Sequence, residues 1–343
     1  MATYISIEIK TTTYLSTEKM KFLKKNMSMY IPKTITILFC VFQFGIWHTK
    51  AQQDPQYTQY MYNTQIINPA YAGSREALSF GLLGRIQWVN FDGAPKTGTF
   101  TVNSPIGIYD NMGLGLSIVH DQIGPASESN VTVDYAYGIP MAADSRLSFG
   151  LKAGLDIMDV DYSKLDIFNP NDPFFQNNVD QKLQPQIGGG IYFNTNRFYI
   201  GASVPNFLNT KHFDESALDE LEEDGVAIER LHYFLISGYV FDLNPNLKFK
   251  PATLIKAVSG SPVQWDASAN FMFNEKFTFG ASYRWSASIS AMAGFQLSES
   301  FFLGMAYDYQ STDIESFSDG SYEVFLRLDI FKNPDRIMIP RFF

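Results

Sequence analysis

Residues 146–157 read "RLSFGLKAGLDI". Leu147, Phe149, Leu151, Ala153, Leu155 and Ile157 alternate with Arg146, Ser148, Gly150, Lys152, Gly154 and Asp156. A period of two puts the first set on one face of a β-strand and the second on the other. One face is continuously apolar and the other small, polar or charged. A soluble sandwich and a membrane barrel both use such a strand, so its neighbours decide the class.

The rhythm continues in candidate strands near 76–88, 97–104, 112–120, 128–140, 146–161, 185–194, 197–205, 230–241, 247–258, 264–273, 277–286, 289–297, 301–310 and 321–331. These are fourteen, an even number, and mostly of the length a tilted strand needs to cross a bilayer. Soluble strands more often run about five or six residues. Tight connections at 141–145, 194–196, 242–246, 274–276 and 298–300 carry Asn, Asp, Ser and Pro as turn formers. Long connections at 163–184, 206–229 and 311–320 fall on the opposite rim. The pattern predicts an all-β transmembrane antiparallel barrel with short periplasmic turns and long extracellular loops.

The apolar register passes an energetic check. Outward sets such as Leu78/Phe80/Leu82/Ile86/Trp88, Val131/Val133/Tyr135/Tyr137, Phe277/Phe279/Ala281/Tyr283/Trp285 and Tyr322/Val324/Leu326/Leu328/Ile330 contain no ionisable Lys, Arg, Asp or Glu. A basic residue at the bilayer midplane costs roughly 2–4 kcal/mol. The charges fall in the other register: Arg85, Asp134, Lys152, Asp156, Asp266, Arg284, Glu323, Arg327 and Asp329. Mixed signs predict pairing across the lumen rather than a selective pore. Gly81, Gly150, Gly154, Gly188, Gly190, Gly280 and Gly294 share that inward register and leave space there. Only 230–241 is apolar on both faces.

The 343 residues are 45% hydrophobic, 15% aromatic and 18% charged, and no stretch is apolar for as long as a membrane helix requires. At the N-terminus, Lys21, Lys24, Lys25 and Lys33 precede an apolar run, Ile35–Trp47, and Thr49-Lys50-Ala51 offers a small-residue cleavage site. Residues 1–51 therefore read as a signal-peptide region, with Met20, Met27 and Met29 as alternative starts. Cys40, the only cysteine, lies within it, so the mature chain has no disulfide. Residues 1–51 hold seven of the 26 basic and two of the 35 acidic residues, which leaves 19 against 33 and a net charge of −14. Nucleic acid is a poor partner for that balance.

Between leader and first strand, "QQDPQYTQYMYNTQIINPAYAG" (52–73) holds four tyrosines and five glutamines with Asp54 as its sole charge. A barrel of fourteen strands has more room than its own side chains fill. Such a neutral, aromatic, amide-rich segment suits a polar wall, which predicts a periplasmic plug or collar at 52–73, with an extended leader as the alternative. The barrel then occupies 74–331 and a periplasmic tail 332–343.

The stretches "YTQYMYNTQIINPAYAG", "RIQWVNFDGAPKT", "SRLSFGLKAG", "YDYQ" and "GSYEVFLRLDIF" together resemble the PorP/SprF family, outer-membrane barrels of the type IX secretion and gliding machinery of Bacteroidetes. The family pattern rests most on Asn68, Pro69, Tyr71 and Gly73, on Arg85 and Trp88, and on Gly320, Ser321 and Glu323. Tyr322 stands where the family often has His. The resemblance implies an accessory, not an enzyme, that exports or anchors a secreted adhesin or surface protein through that protein's C-terminal domain. Partners would also include periplasmic ring or peptidoglycan-binding components and outer-membrane lipid, in a Gram-negative cell.

Two loops are candidate partner surfaces. Phe168, Phe174 and Phe175 lie outside any strand register, among Asn, Asp and Pro. Residues 209–229 hold eight carboxylates, among them Asp214, Glu215, Asp219, Glu220, Glu222 and Glu223, and one lysine. An acidic knob of this kind steers basic partners, and a solvated loop without a partner is the plainer alternative. Asp166, Asn171 and Asp172 lack EF-hand spacing, so no metal is expected. The isolated histidines and the missing nucleophile-elbow and phosphate-loop motifs give no catalytic residues and no cofactor. The rival function is a porin or transporter for small or apolar solutes.

Overall fold

The computed structural model describes residues 55–107, 110–165, 178–208, 231–259 and 261–331. The expected signal region 1–51, the expected tail 332–343, Phe168, Phe174, Phe175 and the acidic stretch 209–230 lie outside these.

The strands are β1 (Ala77–Ile86), β2 (Lys96–Ile106), β3 (Met112–Ile123), β4 (Ala126–Ala142), β5 (Ser145–Val160), β6 (Val179–Asn194), β7 (Phe198–Val204), β8 (His232–Tyr239), β9 (Phe241–Asn244), β10 (Leu247–Val258), β11 (Gln264–Phe273), β12 (Phe277–Arg284), β13 (Ser288–Gln296), β14 (Phe301–Gln310) and β15 (Ser321–Phe331). Apart from β8 and β9, which both pair with β10, each strand pairs antiparallel with its sequence neighbours, and β15 pairs with β1. The sheet thus closes on itself. β8 and β9 pair with the same strand, β10, on either side of Val240, so together they make one of fourteen wall positions. Closure leaves no edge around most of the ring, which lipid requires.

The expected strand 185–194 begins earlier, at Val179, and 230–241 is split at Val240. The rim of long loops also carries two tight turns: 285–287, where the expected strands left two residues between them, and 124–125, where they left seven.

Inside and outside follow the register of the sequence. On β5, Phe149, Leu151 and Leu155 face outward and are 47%, 66% and 50% exposed, whereas Lys152 and Asp156 are buried. Trp88 departs from its expected outward register. β1 stops at Ile86, and Trp88 adopts φ 45° in the turn and packs edge-on against Phe91.

Residues 55–75 run through the interior of the barrel. Thr64–Ile67 (α1) forms one helical turn and Pro69–Tyr71 a 3-10 turn. Asn68 links them: its side chain accepts from the Ala70 amide, and Pro69 fills the first helical position, where no N–H is needed. Tyr60, Met61, Ile67, Ala70 and Tyr71 form the main apolar cluster with Tyr192, Tyr199, Phe234, Ile236, Leu254 and Met292 of the wall. This accounts for the doubly apolar strand 230–241. Phe234 and Ile236 turn inward because an apolar segment meets them there.

Candidate functional site: a plugged lumen

The inner wall pairs its charges. Arg85 bridges Asp308 at 2.6 Å and Glu323 at 3.0 Å, Arg284 meets Asp266 at 2.7 Å, and Lys152 meets Asp134 at 3.0 Å. Asp329 holds both Arg75, at 2.6 Å, and Arg327, at 3.1 Å. Every one of these side chains is buried. A buried charge without a partner is strongly destabilising, so each carboxylate fixes its cation and each cation its carboxylate.

These pairs grip the interior segment. Glu323 accepts from the Thr58 and Gln59 amides at 2.9 and 2.8 Å, one oxygen to each. The Thr58 hydroxyl donates to Asp308 at 2.6 Å, and Arg85 Nη1 donates to that hydroxyl at 3.1 Å. Gln65 binds Asn103 and Asp134 at once, so it ties β2 to β4. Asn68 donates to the Ile191 carbonyl at 3.0 Å, and Ser203 donates to the Ile67 carbonyl at 2.6 Å. Arg75 finally clamps Asp329 beside the start of β1. The segment therefore descends from the level of Arg85, near the long-loop rim, to the rim of tight turns. It crosses the lumen from end to end.

Glycine makes room for it. A Cβ on Gly150 would collide with the backbone of Pro69 and Ala70, and one on Gly113 with the Ala72 carbonyl. Backbone meets backbone at both places, which no other residue allows.

The family-motif residues converge on this segment. Asn68, Pro69, Tyr71 and Gly73 lie in its lower half, where Tyr71 packs edge-on against Tyr192 and the Gly73 amide donates to Asn103. Arg85 and Glu323 grip its upper half. Trp88, Gly320 and Ser321 join next to them: the Trp88 amide donates to Ser321 Oγ, and Val89 N–H to the Gly320 carbonyl. Ser321 thus locks the turn after β1 onto the start of β15.

Sequence reading missed Arg75, Lys250, Lys256 and Asp308, all buried in the interior. Lys250 lies over the Tyr62 ring, 5.3 Å from its centroid. Both lysines of this set share the inward register of Leu254, the signal that would have found them. Asp156 lines a cavity of about 90 Å³ beside the plug, together with Asp121, Glu128, Lys152, Tyr57 and Phe234. At the base of the loop after β5, Asp161 accepts from Ser163 Oγ at 2.6 Å and from the Ser163 amide at 3.2 Å. These bonds, the hydroxyl's foremost, hold its carboxyl below the usual range.

A family profile described as type IX secretion system membrane protein PorP/SprF matches residues 49–328. Among solved structures, the chain is similar to the CymD monoaromatic hydrocarbon channel, with 10% identity, 83% of this chain and 94% of that one covered, and a TM-score of 0.43. It is also similar to a Pseudomonas aeruginosa FadL homologue, with 11% identity, 80% and 94% covered, and a TM-score of 0.41. Acinetobacter baumannii Omp33 aligns with 10% identity, 75% and 99% covered, and a TM-score of 0.37. No curated protein matches the chain. With its profile covering most of the sequence, from the interior segment to the closing strand, the chain belongs to the PorP/SprF family of type IX secretion system membrane proteins.

Proposed function

We propose that this barrel is a closed outer-membrane accessory that exports a cognate secreted protein, or holds it at the cell surface, by binding that protein's C-terminal domain. The observation that carries this reading is the double grip of Glu323 on the Thr58 and Gln59 amides. A segment fixed by main-chain hydrogen bonds and buried ion pairs is an integral part of the wall, not a loose gate. Solute flux would require it to leave, and leaving would strand Arg85, Asp308 and Glu323 without Thr58 and Gln59. A lumen filled in this way suits a scaffold for other proteins. The family is one of secretion-system membrane barrels, not of enzymes.

The long-loop rim then faces the medium and the tight-turn rim the periplasm, with export directed by the signal region at 1–51. The test is isolation of the protein from native membranes in mild detergent. A secreted protein in stoichiometric amount, held through its C-terminal domain, supports the role. A lone barrel with solute flux supports the transporter instead.

A further inference from the structure

Near the long-loop rim, the outward face of β1, β2 and β3 changes character from one rung to the next. Leu82, Phe100 and Ile118 share a rung and are exposed to hydrocarbon. The next outward rung toward the rim is Gly84, Gly98 and His120. The one after it is Ile86, Lys96 and Gln122. Apolar side chains thus give way to a bare rung and then to a polar one.

The bare rung is a dent in the wall. A Cβ on Gly84 or Gly98 would meet nothing within 4 Å. Neighbouring strands stand about 4.8 Å apart, so two adjacent glycines leave a gap as wide as an acyl chain. The groove measures about 440 Å³ and is lined by both glycines, by Lys96, His120 and Gln122, and by Tyr322 of β15. The connections that border it, 87–95, 124–125 and 311–320, are all among the described residues, and none of them lines it.

Its polar side chains are donors. Lys96 is exposed and takes part in none of the ion pairs among the described residues. Asp121 and Glu128, its nearest acids on β3 and β4, line the interior cavity instead. His120 Nδ1 lies 2.9 Å from Ser129 Oγ. With Nδ1 engaged by that hydroxyl, Nε2 is the ring nitrogen left to meet a ligand. An ammonium, an imidazole and an amide together suit the oxygens of a phosphate. Below them lies a surface that suits only hydrocarbon.

We propose that this groove holds a phosphate-bearing lipid of the outer leaflet. Its phosphate rests on Lys96, beside His120 and Gln122, and one acyl chain lies over Gly84 and Gly98 toward Leu82 and Phe100. An acidic protein segment would meet the same donors but would leave backbone N–H and C=O groups unpaired against hydrocarbon, which is costly. The choice of leaflet rests on the orientation proposed above; the binding does not.

Native mass spectrometry of the purified barrel in mild detergent counts retained lipid. The probes are lipid A with its phosphates and the same lipid without them. One phosphorylated lipid per barrel is expected, held on the order of tenfold more tightly than the dephosphorylated form. Lys96→Gln should weaken the phosphorylated form about tenfold and leave the other unchanged. Gly98→Leu, whose side chain fills the groove, should weaken both. Equal retention of the two lipids by the native chain, or native-like binding by Gly98→Leu, would overturn the proposal. Should Gly98→Leu fail to fold, the Lys96→Gln comparison still decides it. Orientation is read separately, by labelling Lys96→Cys on whole cells with a membrane-impermeant maleimide, the native Cys40 being replaced by alanine. Labelling of intact cells supports the outer leaflet. Labelling only after the outer membrane is opened would overturn that assignment and the orientation with it, and the lipid comparison would stand.

Discussion

Arg85 and Glu323 face each other on one antiparallel rung between β1 and β15, and their 3.0 Å ion pair holds the interior segment in place. Glu323 spends one oxygen on the Thr58 amide, shared with Arg85, and the other on the Gln59 amide. Glu323→Gln keeps the shape but leaves one acceptor and no charge for Arg85. Hydrogen bonds to charged groups contribute roughly 1.5–3 kcal/mol, and a loss of that order is expected in chemical denaturation. Amide exchange at Thr58 and Gln59 checks it locally, and unchanged protection at both would refute the grip.

The glycine cradle gives a size test. Gly150→Val forces atoms into the Pro69–Ala70 backbone, whereas a Cβ on Gly98 meets nothing. Overpacking costs about 1–3 kcal/mol, so Gly150→Val should lower stability and open a conductance while Gly98→Ala leaves both unchanged. Equal behaviour of the two variants in thermal melts and bilayer recordings would contradict the fit.

Lipid exposure is tested on adjacent residues of β5. Leu151→Lys puts an ammonium in hydrocarbon at roughly 2–4 kcal/mol near the midplane. Lys152→Leu instead leaves Asp134 buried without its cation, at a cost of about 3–5 kcal/mol. Adding Asp134→Asn to Lys152→Leu should restore most of that loss and do nothing for Leu151→Lys. Refolding titrations into lipid vesicles measure all four variants.

Acid should loosen the turn after β5. The Asp161 carboxyl is depressed in the folded chain, so its stabilising contribution is present above the ordinary carboxylate range and is lost as pH falls through the lowered folded value. Exchange at the Ser163 amide should stay slow at neutral pH and quicken only below that ordinary range. Asp161→Ala should remove the pH dependence. A midpoint above the ordinary range would reverse the sign and refute the assignment.

The barrel was legible because hydrocarbon enforces a strict rule: one charge in the outward register is costly, so alternation survives along nearly every strand. Trp88 broke the pattern because the end of a strand depends on what the next turn bonds, here Ser321 and Gly320. Arg75 and Asp308 escaped notice for a related reason. Arg75 precedes the first strand, and Asp308 sits between two tyrosines that dominate its motif. Their roles appear only when β14, β15 and the interior segment meet. The inward glycines left space in the lumen, whereas the doubly apolar strand at 230–241 read only as a break in the alternation until the interior segment was seen to meet it. What no periodicity encodes is the path of a segment with no repeating register. Only its partners, from Glu323 down to Asp329, define it.

Single-channel conductance in planar bilayers tests the closed lumen most directly, with the mature protein compared against a variant lacking Gln52–Gln65. The intact protein should show no steady channel and the deletion a clear one. Equal, open conductance in both would contradict the plug.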